Sequence, residues 1–486
     1  MKKILAYIIL LLLSTENICG QQADSLFVSN DSVRMKKHYF RAAIQALSVN
    51  ASVWAYNRYI READFAKISF HSIHDNIKKG LVWDNDLFSS NQLLHPFHGS
   101  FIYSSARCNG MSYWTSLSYT FAGSLSWEFC AETTPPSIND LITTTLGGAA
   151  LGEGTYRISS LVLDDSKRGF NRFFRELLGT VISPSRGINR LLTGNAWKVR
   201  HKYYLYHDYE KIPVNCSLTV GDRLMADNGS LFKENNNMFV EFNMIYGNPF
   251  QNSTNKPFDY INFSSLINVG GKQPVIGSVN IAAKLYGKYS EPLPGHKMMI
   301  GLFQHFDYFD SGLVTKDSKK IPFKISEAAA IGVGMTYLLP ATKKITIRYR
   351  GHLNAVLLGA SLTDYYRLGR DYNLGSGYSI KSNTHIEFSK YGSFELNMFD
   401  YQIFTWRGYK PEDLKTKASP YLYLNTQGDK GNAELFLINA IMGININSKT
   451  KINLGSYYYF RNTHYAYHDD VISRTYEFRL GLKYKF

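Results

Sequence analysis

Two periodicities divide the chain. Toward the carboxyl end, apolar and polar positions alternate, most clearly in the last run. There Tyr476, Phe478, Leu480, Leu482, Tyr484 and Phe486 are apolar, and Thr475, Glu477, Arg479, Gly481, Lys483 and Lys485 between them are polar or small. Successive side chains of a strand point to opposite faces, so this run offers one face to an apolar medium and the other to a polar one. Aromatic residues near both of its ends match the interfacial girdles of a membrane strand. The same alternation recurs at 214–224, 238–246, 258–269, 275–289, 297–308, 323–339, 344–359, 380–389, 394–406, 434–446 and 451–460. The predicted fold is an all-β membrane barrel of about 12 antiparallel strands, an even number as in single-chain bacterial barrels. An α-helical domain precedes it.

Connections support the strand assignment. Such barrels have short turns on one rim and long loops on the other. Segments 340–343, 390–393 and 447–450 are short, and 309–321, 360–378, 408–432 and 461–472 are long, in alternation. Segment 248–257 breaks the rule, being long where a short turn is expected. Alternation places Thr346, Arg348, Arg350, His352 and Asn354 in the lumen, together with Ser382, Thr384, His385, Glu387 and Ser389. The parity changes between Thr384 and His385.

Before residue 195 the period is helical. Phe40, Ile44, Leu47, Ala51 and Trp54 recur at helical spacing and predict an amphipathic helix over 37–60, with a shorter one at 72–79. Pro96 predicts a helix over 97–107, closed by Asn109-Gly110, followed by another over 111–132. Pro135-Pro136 ends that helix, and Ser137 with Asp140 three residues on predicts a capping box for the next. Small residues from Asp140 to Gly154 predict a helix that packs closely against another helix or the barrel wall. Phe170, Phe173, Phe174, Leu177, Leu178 and Val181 form one face of a further helix, with Arg168, Arg172 and Arg175 largely opposite; core packing with a solvated basic face is the reading preferred to a membrane-surface helix.

The amino end carries an address. Lys2 and Lys3 precede an apolar stretch, 4–13, too short to span a bilayer, which reads as an export signal over 1–20. The expected organisation is therefore a signal peptide (1–20), a flexible lead-in (21–36), an α-helical periplasmic or plug domain (37–195) and an outer-membrane β-barrel (196–486). Expected partners are outer-membrane lipids and, through the Phe486 strand, the barrel assembly machinery. The 35 tyrosines suit an aromatic girdle, and the net charge of +15 suggests nucleic acid until export is considered, which excludes it. Three cysteines remain after the signal; Cys108 and Cys130 can form a disulfide in an oxidising compartment or stay as buried thiols.

His95-Pro96, Arg107, Trp127-Glu128, Glu132, Pro136-Ser137, Asp140, Thr144, Gly147-Gly148 and Gly152-Glu153, followed by Pro184, Arg186, Asn189-Arg190 and Gly194, resemble the domain-of-unknown-function 3943 family. The resemblance covers roughly 85–200 and implies an exported envelope protein of a Gram-negative bacterium, with no known activity.

The chemistry on this stretch is acidic. Phe121, Leu125, Glu128 and Glu132 fall on one helical face, so two carboxylates continue an apolar stripe. A carboxylate on a packed face must be paired, hydrogen-bonded or protonated. Two arrangements answer that demand. In one, Glu128, Glu132, His95, His98, Asp140 and Glu153 surround a pocket, as a metal site or an acid–base pair acting on an envelope lipid or glycan. In the other, Glu128 and Glu132 join Arg107, Tyr103, Tyr156 and the histidines in a structural network. His95 and His98 are three residues apart, short of the i, i+4 spacing of a helical zinc pair, so neither metal nor cofactor is expected. The function expected first is a helix-plugged barrel that passes, binds or places an envelope molecule; a hydrolase or transferase and a surface interaction protein using the loops 360–378 and 408–432 are the alternatives.

Overall fold

The computed structural model describes residues 36–199, 213–227, 236–250, 256–270, 273–313, 321–342, 344–367, 370–415 and 424–486. The signal peptide and the lead-in before Lys36 lie outside them. Twelve antiparallel strands close into a barrel, each paired with its sequence neighbours and β1 with β12. They are β1 (Val214–Asp227), β2 (Asn236–Tyr246), β3 (Ile261–Val269), β4 (Ile276–Ser290), β5 (Lys297–Asp310), β6 (Lys324–Leu338), β7 (Thr346–Arg367), β8 (Arg370–Phe388), β9 (Gly392–Thr405), β10 (Gly431–Asn445), β11 (Thr450–Tyr465) and β12 (Val471–Lys485). All twelve predicted runs are strands. Segment 360–378, expected as a loop, instead continues β7 and β8 as a long hairpin.

Directly paired residues share a face of the sheet, so the ladders identify the outer wall. Leu482, Val220, Val240 and Ile267 are paired in series. On that face Leu480, Leu482, Leu454, Met442, Val333 and Leu353 are exposed apolar side chains, the wall that lipid covers. The opposite face holds buried polar groups. There Lys381 Nζ lies 2.6 Å from Asp307 and 2.7 Å from Glu327, and Arg479 Nε 2.7 Å from Glu477. Ser382 and Thr384 pair on the outer face and His385 and Glu387 on the inner, which corrects the lumen assignment of the first two.

Side chains of non-adjacent strands meet across the lumen. Arg223 of β1 donates to the Ser311 carbonyl after β5, Arg350 of β7 to Asn262 of β3, and Arg461 of β11 to the Pro322 carbonyl before β6. Phe323 stacks on Tyr459 with ring centroids 4.3 Å apart. The closed antiparallel wall, apolar outside and polar within, is that of an outer-membrane barrel.

The preceding helices are α1 (Tyr39–Tyr59), α2 (Phe70–Lys79), α3 (His95–Cys108), α4 (Tyr113–Cys130), α5 (Ile138–Ile142), α6 (Gly148–Val162), α7 (Gly169–Ile182) and α8 (Pro184–Leu192). A π-turn, Ser90–Leu94, runs into α3, so His95 is helical despite the following proline; a second, Thr143–Gly147, joins α5 to α6. Both turns leave room for polar side chains to point inward.

The described helices lie against the barrel. They pack on the outer wall, along the series Ser265, Val279, Tyr308, Ser326, Ala360 and Leu374, which the ladders join to the lipid-facing set. Phe88 stacks on Tyr308 at 5.2 Å and meets the edge of Tyr372, and Gln92 accepts from Ser326. Tyr113 stacks on Phe258 and donates to Gln304, whose amide donates to the Leu146 carbonyl at 2.9 Å. The stretch from Asp140 to Gly154 lies against Ala328 and Ile281 of this wall, the close packing its small residues predict. Arg157 donates to the Pro257 carbonyl in the over-long β2–β3 connection, and Asn425 between β9 and β10 accepts from the Trp83 backbone. Those connections lie on opposite rims, and the helical layer touches both.

The outward face of the helical layer carries many apolar side chains, and polar groups are buried among the apolar ones within it. Phe40, Ile44 and Leu47 of α1 are exposed, Phe40 by 80%, while Ala42, Ala46, Asn50 and Asn57 face inward. On α7, Phe170, Phe173, Phe174, Leu177 and Val181 are exposed, and Arg172 is buried against Asp165 at 2.8 Å. The expected core-packing orientation of α7 is thus reversed, because Asp165, Glu176 and the Asn195 and Ala196 carbonyls supply partners for its arginine that no apolar core could. Cys108, Cys130 and Cys216 are all free thiols.

Candidate functional site

Two buried polar clusters occupy the layer. The first centres on Glu153 of α6, clamped by Arg107 Nε at 2.6 Å and by Arg157 Nε at 2.8 Å, with the Tyr103 hydroxyl donating at 2.8 Å. Burial works against its charge, but the two guanidinium groups outweigh burial and hold its pKa down at about 2. Tyr156 lies under the Arg107 and Arg186 guanidinium groups at 5.0 and 4.3 Å. Arg107, Tyr103 and Tyr156 thus gather around Glu153 and not around Glu128 and Glu132.

The second cluster brings together His95, Glu128 and Asp140 with Asp84 and Glu132. Ser137 caps α5 by accepting from the Asp140 amide at 3.1 Å, half of the expected capping box. The reciprocal half is missing: Glu128 Oε2 takes the Ser137 backbone N–H at 2.8 Å, which releases the Asp140 side chain to the cluster. His95 Nε2 lies 3.6 Å from Asp140, and its Nδ1 3.4 Å from the Thr144 hydroxyl. One ligand-type atom from each of His95, Glu128 and Asp140 lies within 4.8 Å of the others. Glu132 sits beside them, receiving Trp127 Nε1 at 2.7 Å and the Thr134 hydroxyl at 3.0 Å. His98 points its ring at the edge of Trp127 and stays outside the trio.

Asp84 was not anticipated. It accepts from both Asn91 and Asn139 at 2.8 Å. Its stretch is irregular, so no periodicity gave its facing; the run Asp84-Asn85-Asp86 was the available signal.

Burial sets the electrostatics. It raises Glu128 and Asp140 well above the usual carboxyl range, helped by Glu132 and Asp84 respectively. Asp84 is also buried, yet hydrogen bonds from Asp140, Asn139 and Asn91 prevail and lower it. Of that acid pair, Asp140 is the one that holds a proton more strongly. Burial lowers His95, and takes His98 down to about 3, so both imidazoles are neutral. The arrangement combines a proton donor, an ionised carboxylate and a neutral imidazole, the components of acid–base or metal-assisted chemistry.

Comparison with curated proteins finds no match. Among solved structures the barrel is similar to the NanC porin (12% identity, TM-score 0.26, covering 55% of this chain and 100% of that one). It is also similar to the Pseudomonas putida toluene transporter TodX (6%, 0.22, 56% and 88%) and to the transport unit of the Escherichia coli autotransporter AIDA-I (11%, 0.23, 56% and 90%). Residues 80–185, which carry His95, Glu128, Asp140 and Glu153, match the family described as Domain of unknown function (DUF3943).

Proposed function

We propose that the barrel is an anchor and that the helical layer on its outer wall is a membrane-embedded hydrolase or transferase acting on the polar head group of an envelope lipid. The observation that carries this reading is the layer's inverted polarity. A water-exposed bundle would bury Phe40, Phe170 and Phe173 and expose its acids; here the phenylalanines face outward and Glu128 and Asp140 are enclosed. Exposed apolar surface on this scale fits an acyl-chain environment. A substrate reaching His95, Glu128 and Asp140 from such surroundings is amphiphilic, which favours lipid over free glycan. No described helix is long and apolar enough to cross a bilayer, so the layer lies at an interface or leans on the barrel.

The test is reconstitution of the full protein in vesicles of outer-membrane lipid extract, with head-group products followed by mass spectrometry. Wild type should release or transfer a head group, and folded Glu128→Gln and Asp140→Asn variants should lose at least about 100-fold of the rate, the scale of a lost acid–base group. Lipid unchanged by the wild-type protein would refute the reading.

A further inference from the structure

We infer that His95, Glu128 and Asp140 form a binding site for one divalent transition-metal ion, with zinc and manganese the cations best matched to one imidazole and two carboxylates. The inference deepens the reading of the helical layer as the site-bearing part, but stands on separate observations. Glu128 is 1% exposed and its Oε1 has no hydrogen-bond partner, although Oε2 is fixed by the Ser137 amide. A buried acceptor left open in this way costs stability unless something fills it.

Charge balance points the same way. Outside this cluster, the buried acids of the described residues each have a cationic or imidazole partner within ion-pair distance: Glu153 has Arg107 and Arg157, Asp165 has Arg172 and Arg190, Asp307 and Glu327 share Lys381, Asp310 has Lys324, Asp429 has His468, and Glu477 has Arg479. No lysine or arginine forms an ion pair with Glu128 or Asp140 among the described residues, and Asp140 has only His95, at 3.6 Å. The cluster gathers acids where the rest of the molecule would place a cation.

Supporting groups are those a metal centre uses. Thr144 beside His95 Nδ1 can take the ring proton there, leaving Nε2 with its lone pair toward Asp140. Asn139 donates to Asp140 Oδ1 at 3.0 Å as well as to Asp84, and so fixes one oxygen of each acid. Ligand atoms up to 4.8 Å apart exceed the roughly 3.3 Å edge of a tetrahedron with metal bonds of about 2.0 Å, so the three side chains draw inward on loading.

The experiment uses full-length protein in detergent, stripped with a chelator, then dialysed against zinc or manganese and assayed for bound metal. Heat-modifiable gel migration and tryptophan emission check that barrel and helices remain folded. Wild type should bind one equivalent. His95→Ala and the isosteric Glu128→Gln should each weaken binding by at least ~10-fold, whereas His71→Ala, on the exposed face of α2, should bind as wild type. No binding by wild type, or equal binding by folded His95→Ala and Glu128→Gln, overturns the site. Metal loading without lipid turnover would refute the enzymatic reading and leave the site standing; turnover by a wild-type protein that binds no metal would overturn the site and leave the enzymatic reading standing.

Discussion

Glu153 shows how a single side chain can be both legible and misassigned. Its burial on a helix of small residues follows from the run Gly152-Glu153-Gly154, but Arg107 lies 46 positions earlier, and helical periodicity reports a facing without naming the partner across it. Glu128 and Glu132 were recognised by the same periodicity as acids on a packed face, but Arg107, Tyr103 and Tyr156, inferred as their partners, belong to Glu153 instead. Removing the charge by Glu153→Gln leaves two guanidinium groups beside a neutral amide. That should destabilise the helical layer by about 3 kcal/mol, read by denaturant unfolding with tryptophan emission. The pH dependence has a definite sign. Because the folded-state pKa is depressed to about 2 from 4.5, the stabilisation by Glu153 is complete above about pH 4.5 and is lost as pH falls toward 2. Glu153→Gln should therefore flatten the acid limb of the wild-type stability profile between those values. An unchanged limb would show that the clamp contributes nothing.

At the scale of elements, the helices were legible as helices and illegible in orientation. The period of Phe40, Ile44, Leu47, Ala51 and Trp54 located α1 correctly, but an apolar stripe facing lipid has the same spacing as one facing a core. Only the partners of the other face decide, and these, such as Asn50 donating to the Gly123 carbonyl at 2.8 Å, are remote in sequence. If the outward stripe meets acyl chains, Trp114 on the exposed side of α4 should be quenched by lipids brominated along the chain, and the Trp114→Phe variant should lose that part of the quenching. The packing of α3 on α6 was partly readable from their glycines. A Cβ at Gly148 would come within 2.7 Å of the Gly99 backbone, and one at Gly99 within 1.9 Å of the Thr144 carbonyl oxygen. Backbone cannot yield as a flexible side chain can, so Gly148→Val should cost at least about 1–3 kcal/mol. Protease should then cut the helical layer while the barrel keeps its heat-modifiable migration.

For the whole molecule, the barrel was legible because each strand writes its two environments into alternate positions, and twelve such runs suffice to close it. The docking of the helices was not, because Phe306 and Tyr308 read alike whether lipid or a helix covers them. The over-long β2–β3 connection was the visible exception, and it is where Arg157 anchors the layer. What fills the lumen follows from the same alternation: lumen positions carry polar groups long enough to reach one another across a narrow barrel. Arg223 reaches Ser311, Arg350 reaches Asn262, and Arg461 reaches the Pro322 carbonyl while pairing with Asp364 at 2.7 Å. These bridges come from the barrel itself, so they survive removal of the helices. Planar-bilayer recordings of the full protein should be silent, and a folded variant lacking residues 37–195 should be silent too. A double substitution that removes two bridges at once, Arg350→Ala with Arg461→Ala, should then admit ions, because neither side chain has a substitute in its place. Conduction appearing on deletion of the helices alone would return them to the role of a plug and refute the anchor assignment; silence there, with conduction in the double variant, would locate the seal in the strands.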